Sequence, residues 1–214
     1  MRSFYYLAML GGVAACDSGL DVQPAMVQWM EWPAEVQGAT PFAVRLLTPF
    51  PACHRFVFKP AVRAVDSVVT VEPYFLVERG DPVCLPSAAL DVAPVPFLAL
   101  DTVITAPGLA ARAFQMRATA TDASGVRAFG DVTVRPSNPD TSRRNAGGIV
   151  RLWVDNAGCA RILAAGYPQP PQGFVLEDQA DTTGLNYAFV RGYIHEVATP
   201  VCGETRIFHL VTRN

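Results

Sequence analysis

In residues 113–135, AFQMRATATDASGVRAFGDVTVR, apolar residues take every second position, first from Phe114 and again from Val126. This period of two is that of a β-strand with one buried face. Between the two runs, Asp122–Gly125 ends in a glycine that tolerates positive φ, which predicts a tight turn. The pattern therefore predicts an antiparallel hairpin. Its expected inward residues are Phe114, Met116, Ala118, Ala120, Val126, Ala128, Val132 and Val134.

Further apolar runs, separated by turns, predict strands upstream of the hairpin. They are Met26–Trp32, Pro41–Leu47, Arg55–Phe58, Val68–Val77 and Phe97–Thr105. With the hairpin this makes about seven short strands, the pattern of an immunoglobulin-like β-sandwich over residues 21–135. A jelly roll is the alternative, and it needs one more strand and more regular spacing.

The hairpin also resembles the closing hairpin of bacterial immunoglobulin-like domains, in which a strand ending A-x-D-x-x-G leads into the last strand. In this chain the motif is Ala120–Gly125. The Cys-Trp-Cys order of antibody domains is absent, because both upstream tryptophans precede Cys53 and Cys84. The resemblance is therefore to the wider sandwich class.

Residues 136–146 are polar and contain two prolines, which predicts a linker. The strand pattern then restarts in residues 147–214. It resembles an OB-like barrel, with paired glycines from Gly147, a hairpin at Asp155–Gly158 and a V-x-G-x-I strand at Val190–Ile194. Such barrels are typically five-stranded. The expected fold class is thus all-β, an Ig-like sandwich followed by a small OB-like barrel, with a second small Ig-like unit as the alternative to the barrel.

The strand YAFVRGYI, residues 187–194, predicts one face of small residues suited to a barrel interior and one face of large residues. The large face carries Tyr187, Phe189, Arg191 and Tyr193. Because tyrosine and arginine are frequent at interface hot spots, these four are the candidate partner-binding residues. A face of this kind can also stack bases or sugars. The alternative is that it belongs to the core or lies under the other domain.

The chain begins with Arg2 and an uncharged run over residues 4–15, FYYLAMLGGVAA. As a helix, this run is too short to cross a hydrocarbon core of about 30 Å, and it is typical of a secretory signal. Its end, Val13-Ala14-Ala15-Cys16, resembles the bacterial lipobox.

That resemblance implies that residues 1–15 are a signal segment, that Cys16 is lipidated, and that residues 16–20 form a tether to the membrane. An ordinary signal with an incidental cysteine, or a segment retained as an anchor, are the alternatives. In such lipoproteins an aspartate at the position of Asp17 favours the periplasmic side of the inner membrane. The outer membrane and the cell surface are the alternative locations.

With Cys16 lipidated, four cysteines remain: Cys53, Cys84, Cys159 and Cys202. An even number in an exported protein predicts disulfides. Three pairings are possible, and the domain layout favours Cys53–Cys84 together with Cys159–Cys202.

The sequence contains no catalytic, metal-binding or cofactor motif. The net charge of −2 offers no broad basic field, so no nucleic-acid partner is expected. The HEVAT run at residues 195–199 lacks the second histidine of the zinc motif and lies in a strand pattern. The carboxylates of Glu177–Asp181 predict a solvated loop, because a calcium loop needs a glycine and a terminal glutamate.

These features predict a lipid-anchored, extracytoplasmic and non-enzymatic module without cofactor, which docks on another protein of the envelope or of a membrane complex. The alternatives are an enzyme or enzyme accessory acting on envelope polymers, and a carbohydrate- or ligand-binding lipoprotein. A deep pocket lined by carboxylates and histidine would favour the enzyme, and a shallow aromatic groove the carbohydrate-binding protein.

Overall fold

A computed structural model describes residues 19–51, 56–78, 97–119, 125–164, 173–179 and 187–213. The regular elements in these ranges are all β-strands, which confirms the all-β prediction. No helix in these ranges has the length and apolar character needed to cross a membrane. The strands are β1 (Leu20–Pro24), β2 (Trp29–Pro33), β3 (Glu35–Gln37), β4 (Phe42–Pro51), β5 (Phe56–Lys59), β6 (Val62–Val65), β7 (Val68–Val71), β8 (Tyr74–Glu78), β9 (Phe97–Ala106), β10 (Ala113–Thr119), β11 (Val126–Arg135), β12 (Arg144–Val154), β13 (Ala160–Ala164), β14 (Phe174–Leu176), β15 (Tyr187–Val201) and β16 (Glu204–Arg213).

The described strands form three sheets, in the orders β1-β8-β5, β3-β11-β10-β7-β6 and β13-β14-β16-β15-β12-β2-β4-β9. An additional pairing between β12 and β13 closes one end of the largest sheet into a five-stranded barrel. In this barrel β14 and β16 run parallel, and the other neighbouring strands are antiparallel. A closed barrel thus lies where the sequence predicts one.

The strands nearer the N-terminus form two layers over one hydrophobic core. One layer is β2, β4 and β9, and the other is β3, β11, β10 and β7. Buried residues of this sandwich core include Met30, Trp32, Val44, Leu46, Ile104, Val69, Val71, Phe114, Met116 and Val132. The small sheet β1-β8-β5 has a separate cluster around Phe75.

Strand β2 is covered on both faces, as its apolar sequence predicts. Met30 and Trp32 point into the sandwich core, whereas Trp29 points into the barrel core. There Trp29 stacks with Phe174 at 6.1 Å and contacts Phe208 at 5.6 Å between ring centroids. Trp29, from a strand of the sandwich, is therefore part of the barrel core.

The barrel and the sandwich are joined by the hydrogen-bonded pairing of β12 with β2. Residues Arg144–Gly148 of β12 pair with β2 on one side and with β15 on the other. Strand β12 begins at Arg144, inside the range 136–146 that the sequence predicts as a linker. One continuous sheet thus runs from the sandwich into the barrel, and the exact bounds of the two units stay a prediction.

The hairpin β10–β11 forms as predicted, with Gly125 at a φ of 76° at the end of the turn. Its inward pattern differs in the second strand because of a β-bulge. Met116 pairs with Gly130 and Arg117 with Ala128, which leaves Phe129 as the extra residue. The bulge turns Phe129 fully into the core, while Val126 is exposed. The expectation that Val126 and Ala128 are core residues was therefore wrong.

The single strand predicted over Val68–Val77 is also wrong, because the structure divides it into β7 and β8, in different sheets. Pro73 lies between them and has no N–H to donate to a ladder. Strands β1, β3 and β6 were not predicted, since they are short and partly exposed and give little periodic signal.

Candidate functional site

Strand β15 has two distinct faces, and the candidate partner-binding residues lie on the outer one. On the inner face Val190 and Ile194 are buried in the barrel core, with Ala188 packed against it. On the outer face the chain places Phe189, Arg191, Tyr193 and His195 in succession. Tyr187 pairs through its backbone with Arg151, and its side chain lies outside the described residues.

Phe189 is a structural residue of the sandwich core. It is 4% exposed and packs edge-on against Phe129, with 5.1 Å between ring centroids. The guanidinium of Arg127 lies 4.7 Å above its ring. The expectation that Phe189 faces a partner is corrected here, because the bulge in β11 places Phe129 against it. At this position the outer face of β15 lies under the sandwich.

Tyr193 is half-buried and lies at the centre of a group of rings. His209, its cross-strand partner on β16, stacks on it with 4.6 Å between centroids and a 20° interplanar angle. His195 is tilted against the same ring at 5.3 Å. On the other side the Arg143 guanidinium carbon lies 3.8 Å from the ring centroid, a cation–π contact.

Glu177 connects the two histidines of this group. His209 donates from Nδ1 to Glu177 Oε2 at 2.6 Å, and His195 Nε2 lies 3.3 Å from the same oxygen. The hydrogen bond from His209 is the largest cause that lowers the pKa of the Glu177 carboxyl, with a smaller contribution from His195. We call Arg143, Glu177, Tyr193, His195 and His209 the ring cluster.

Sequence reasoning missed the ring cluster, since Glu177 was assigned to a solvated loop and the histidines to no role. Its members come from two strands, β15 and β16, and from the loops that hold Arg143 and Glu177, and the register of β15 with β16 brings the three rings together. The available signal was the alternation in β15, which puts Tyr193 and His195 on one face. Finding His209 opposite them would have required the hairpin register as well.

A cleft of about 380 Å³ separates strand β11 of the sandwich from strands β15 and β16 of the barrel. Arg143, Arg191 and Tyr193 line it, together with Asp131 and Asn145. The Nε atom of Arg191 is buried and has no hydrogen-bond partner among the described residues. Two of the four candidate residues, Arg191 and Tyr193, are thus brought to one concave surface.

A second cavity, of about 390 Å³, adjoins the opposite side of the ring cluster and is lined by Glu177, Asp178 and His209. Within the described ranges no group of three or more His, Cys, Asp or Glu side chains is arranged to hold a metal ion.

The predicted disulfide Cys159–Cys202 is present, with the two Cα atoms 6.1 Å apart. It ties the turn before β13 to the β15–β16 turn. Next to it Arg161 bridges Asp155 and Glu204, with both contacts at 2.6 Å. This end of the barrel is therefore rigidly closed. The predicted pair Cys53–Cys84 and the lipidation site Cys16 lie outside the described residues.

Comparison with known proteins provides no relative from which a function could be transferred. No family model matches the chain, and no curated protein or solved structure matches it significantly.

Proposed function

We propose that this chain is a lipid-anchored, extracytoplasmic binding module that docks on another protein of the cell envelope. In this proposal Cys16 carries the lipid, and Asp17 favours the periplasmic side of the inner membrane. The module consists of an Ig-like sandwich followed by an OB-like barrel. The five-stranded barrel supports the assignment of an OB-like barrel. The two-layer core supports the assignment of an Ig-like sandwich, although β7 and β10 pair in parallel, whereas the sheets of an Ig sandwich are antiparallel.

The docking surface in this proposal is the cleft between β11 and the β15–β16 pair. Tyr193 is already held in place between Arg143 and His209, so that little side-chain entropy is lost on binding. Arg143 and Arg191 provide positive charge. The carboxylate of Glu35, at the edge of the cleft, is already bound to Arg135 at 2.7 Å. Among the described lining residues the one other carboxylate is Asp131, so Arg143 and Arg191 leave the cleft positive, and the proposed partner is a protein that inserts an acidic side chain.

The observation that carries the proposal is the placement of Arg143, Arg191 and Tyr193 together in the wall of this cleft. Tyrosine and arginine side by side in a concave site are typical of binding hot spots.

The test is co-purification from gently solubilised membranes, followed by mass spectrometry, with wild type, Tyr193→Ala and Arg191→Gln. Each substitution should weaken recovery of a specific partner by about 2 kcal/mol, equivalent to roughly thirtyfold. Thermal unfolding should show only a modest loss for Tyr193→Ala, about 1 kcal/mol, because a half-buried aromatic stack is lost.

The matched control is Arg151→Gln, which removes an exposed arginine of β12 outside the cleft. It should leave recovery and melting unchanged. Undiminished recovery with the Tyr193 and Arg191 variants would show that the cleft is not the docking surface.

An enzyme acting on envelope polymers is the second candidate, favoured by the Glu177–His209 pair beside its own cavity. Turnover of isolated cell-wall polymer by the wild type, and its loss in His209→Asn, would support the enzyme over the docking module.

A further inference from the structure

A glutamate is buried at the end of the barrel, on the side of β12 opposite the cleft. Glu31 is 2% exposed. It lies on the barrel-facing side of β2 together with Trp29, whose Nε1 donates to Glu31 Oε1 at 3.1 Å. One such hydrogen bond does not compensate the burial of a full negative charge, so cationic partners are required.

Three guanidinium groups surround this carboxylate. Arg45 Nη1 lies 3.4 Å from Oε1, Arg206 Nη2 lies 3.6 Å from Oε2, and Arg144 Nε lies 3.9 Å from the same Oε2. Arg45 also binds Asp101 through two contacts, at 2.8 and 2.6 Å. In the described part of the chain, by contrast, Arg144 and Arg206 contact no carboxylate other than Glu31.

Arg144 and Arg206 therefore share a single carboxylate oxygen at distances well beyond the roughly 2.7–2.9 Å of a charge-assisted hydrogen bond, and Arg144 Nη2 also donates to the backbone carbonyl oxygen of Glu31 at 3.4 Å. Their positive charges are only partly compensated. Consistent with this, burial lowers the pKa of Arg144, and the neighbouring Arg206 and Arg45 lower it further, against the opposing effect of Glu31.

The two guanidiniums line a pocket of about 280 Å³ that is open to solvent. Their side chains are 34% and 50% exposed, so donors not used on Glu31 are accessible from outside. Thr141, Ser142 and His195 also line the pocket. The one carboxylate in the lining is Glu196, the cross-strand neighbour of Arg206, and it forms no ion pair with Arg206 within the described residues.

We propose that the pocket between Arg144 and Arg206 binds a phosphate group. A phosphate has enough oxygens to accept hydrogen bonds from two guanidiniums and a hydroxyl at once, and arginine pairs with it in bidentate geometry. The phosphate comes either from a free phosphorylated small molecule or from the headgroup of a lipid beside the anchor. This site is separate from the proposed docking cleft and does not depend on it.

The experiment is calorimetric titration of the full-length, detergent-solubilised protein with inorganic phosphate in chloride buffer at constant ionic strength. Binding should be saturable with a Kd in about the millimolar range or below. Arg206→Gln should weaken it at least about tenfold, because half of the guanidinium pair is lost. Arg151→Gln, an exposed arginine elsewhere on β12, is the matched control and should bind as the wild type does.

A second variant distinguishes a change in the phosphate site from a loss of the folded structure. Glu196→Gln removes the carboxylate that repels an anion in this pocket, so it should tighten phosphate binding about threefold. A variant that had lost its folded structure would not bind phosphate more tightly. Circular dichroism and thermal melting establish that each variant is folded.

Glycerol 3-phosphate, the soluble counterpart of a lipid headgroup, is titrated in parallel. Tighter Arg206-dependent binding of glycerol 3-phosphate than of inorganic phosphate supports a headgroup ligand, and the reverse order supports a free one. The proposal is overturned if neither probe binds saturably to the wild type, or if Arg206→Gln and Arg151→Gln bind alike.

Discussion

Glu177 is the residue that holds the ring cluster together, because it binds His195 and His209 through one oxygen. Without it the two histidines, on two strands, would be linked only through the Tyr193 ring between them. Tyr193 lies between Arg143 and His209, so its position depends indirectly on the same carboxylate. The charge state of one side chain thus influences a whole outer face of the barrel.

This arrangement makes stability depend on pH in the acidic range. The pKa of Glu177 is lowered from its ordinary value of 4.5 in the folded state, chiefly by the hydrogen bond from His209. The charged carboxylate therefore stabilises the fold above that value, and the stabilisation is lost as the pH falls through the lowered pKa. Because the side chain is 37% exposed, solvent screening limits the effect to under about 1 kcal/mol.

We expect the melting temperature of the wild type to exceed that of Glu177→Gln near neutral pH, and the difference to shrink on acidification to about pH 3. The control Glu72→Gln removes an exposed carboxylate outside the cluster and should leave the wild-type profile unchanged. Parallel profiles for wild type and Glu177→Gln at all pH values would refute a stabilising role for this carboxylate.

At the scale of elements, strand β12 has the most demanding position, since it pairs with β2, β15 and β13 along its length. The approach to β2 is close enough that Ile149 donates to the carbonyl oxygen of Gln28 at 2.8 Å. A Cβ atom on Gly148 would lie 2.0 Å from that oxygen, and φ at this position is +152°. Only glycine fits where the two backbones meet.

Gly148→Ala should therefore destabilise the protein by about 1–3 kcal/mol, because the backbone of β2 or β12 must shift. Gly158→Ala is the control, since its Cβ would meet open space, and only the positive φ of 81° opposes it at a cost of about 1 kcal/mol. Chemical denaturation of both variants measures the difference. An equal loss in the two would mean that the close approach at Gly148 is easily relieved.

Elements stabilised by local sequence could be predicted, and those that depend on distant pairing could not. The hairpin β10–β11 follows from alternation and a turn, and the barrel follows from the repeated strand pattern after Gly147. The burial of Phe129 was not predicted, because a bulge shifts the alternation by one residue. The ring cluster depends on the register of β15 with β16, and the group of arginines around Glu31 depends on the register of β2 with β12. The composition of a single strand encodes neither register.

At the scale of the whole molecule, the core of the sandwich and the core of the barrel each contain an aromatic side chain from a strand of the other unit. Trp29 of the sandwich strand β2 lies in the barrel core, and Phe189 of the barrel strand β15 lies in the sandwich core. With the shared sheet, this exchange fixes the orientation of the barrel relative to the sandwich.

The anchor itself leads to a direct prediction. Cys16→Ser should abolish incorporation of a fatty-acid analogue and release the protein from membranes, because no thiol remains for the lipid. Metabolic labelling followed by fractionation measures both effects. Equal labelling of the variant, or a soluble wild type, would contradict a lipidated Cys16. Ala15→Gly, a small-for-small change, should retain labelling.

The exchange of Trp29 and Phe189 also determines the order in which the chain can fold as it is made. A polypeptide that emerges with its N-terminus first presents β2 long before β12 and β15 have emerged, and contacts between distant segments form late because loop closure is costly. Until then β2 is an unpaired edge with an exposed tryptophan, a surface prone to aggregation. Folding of the sandwich is therefore completed only when the C-terminal third of the chain has emerged.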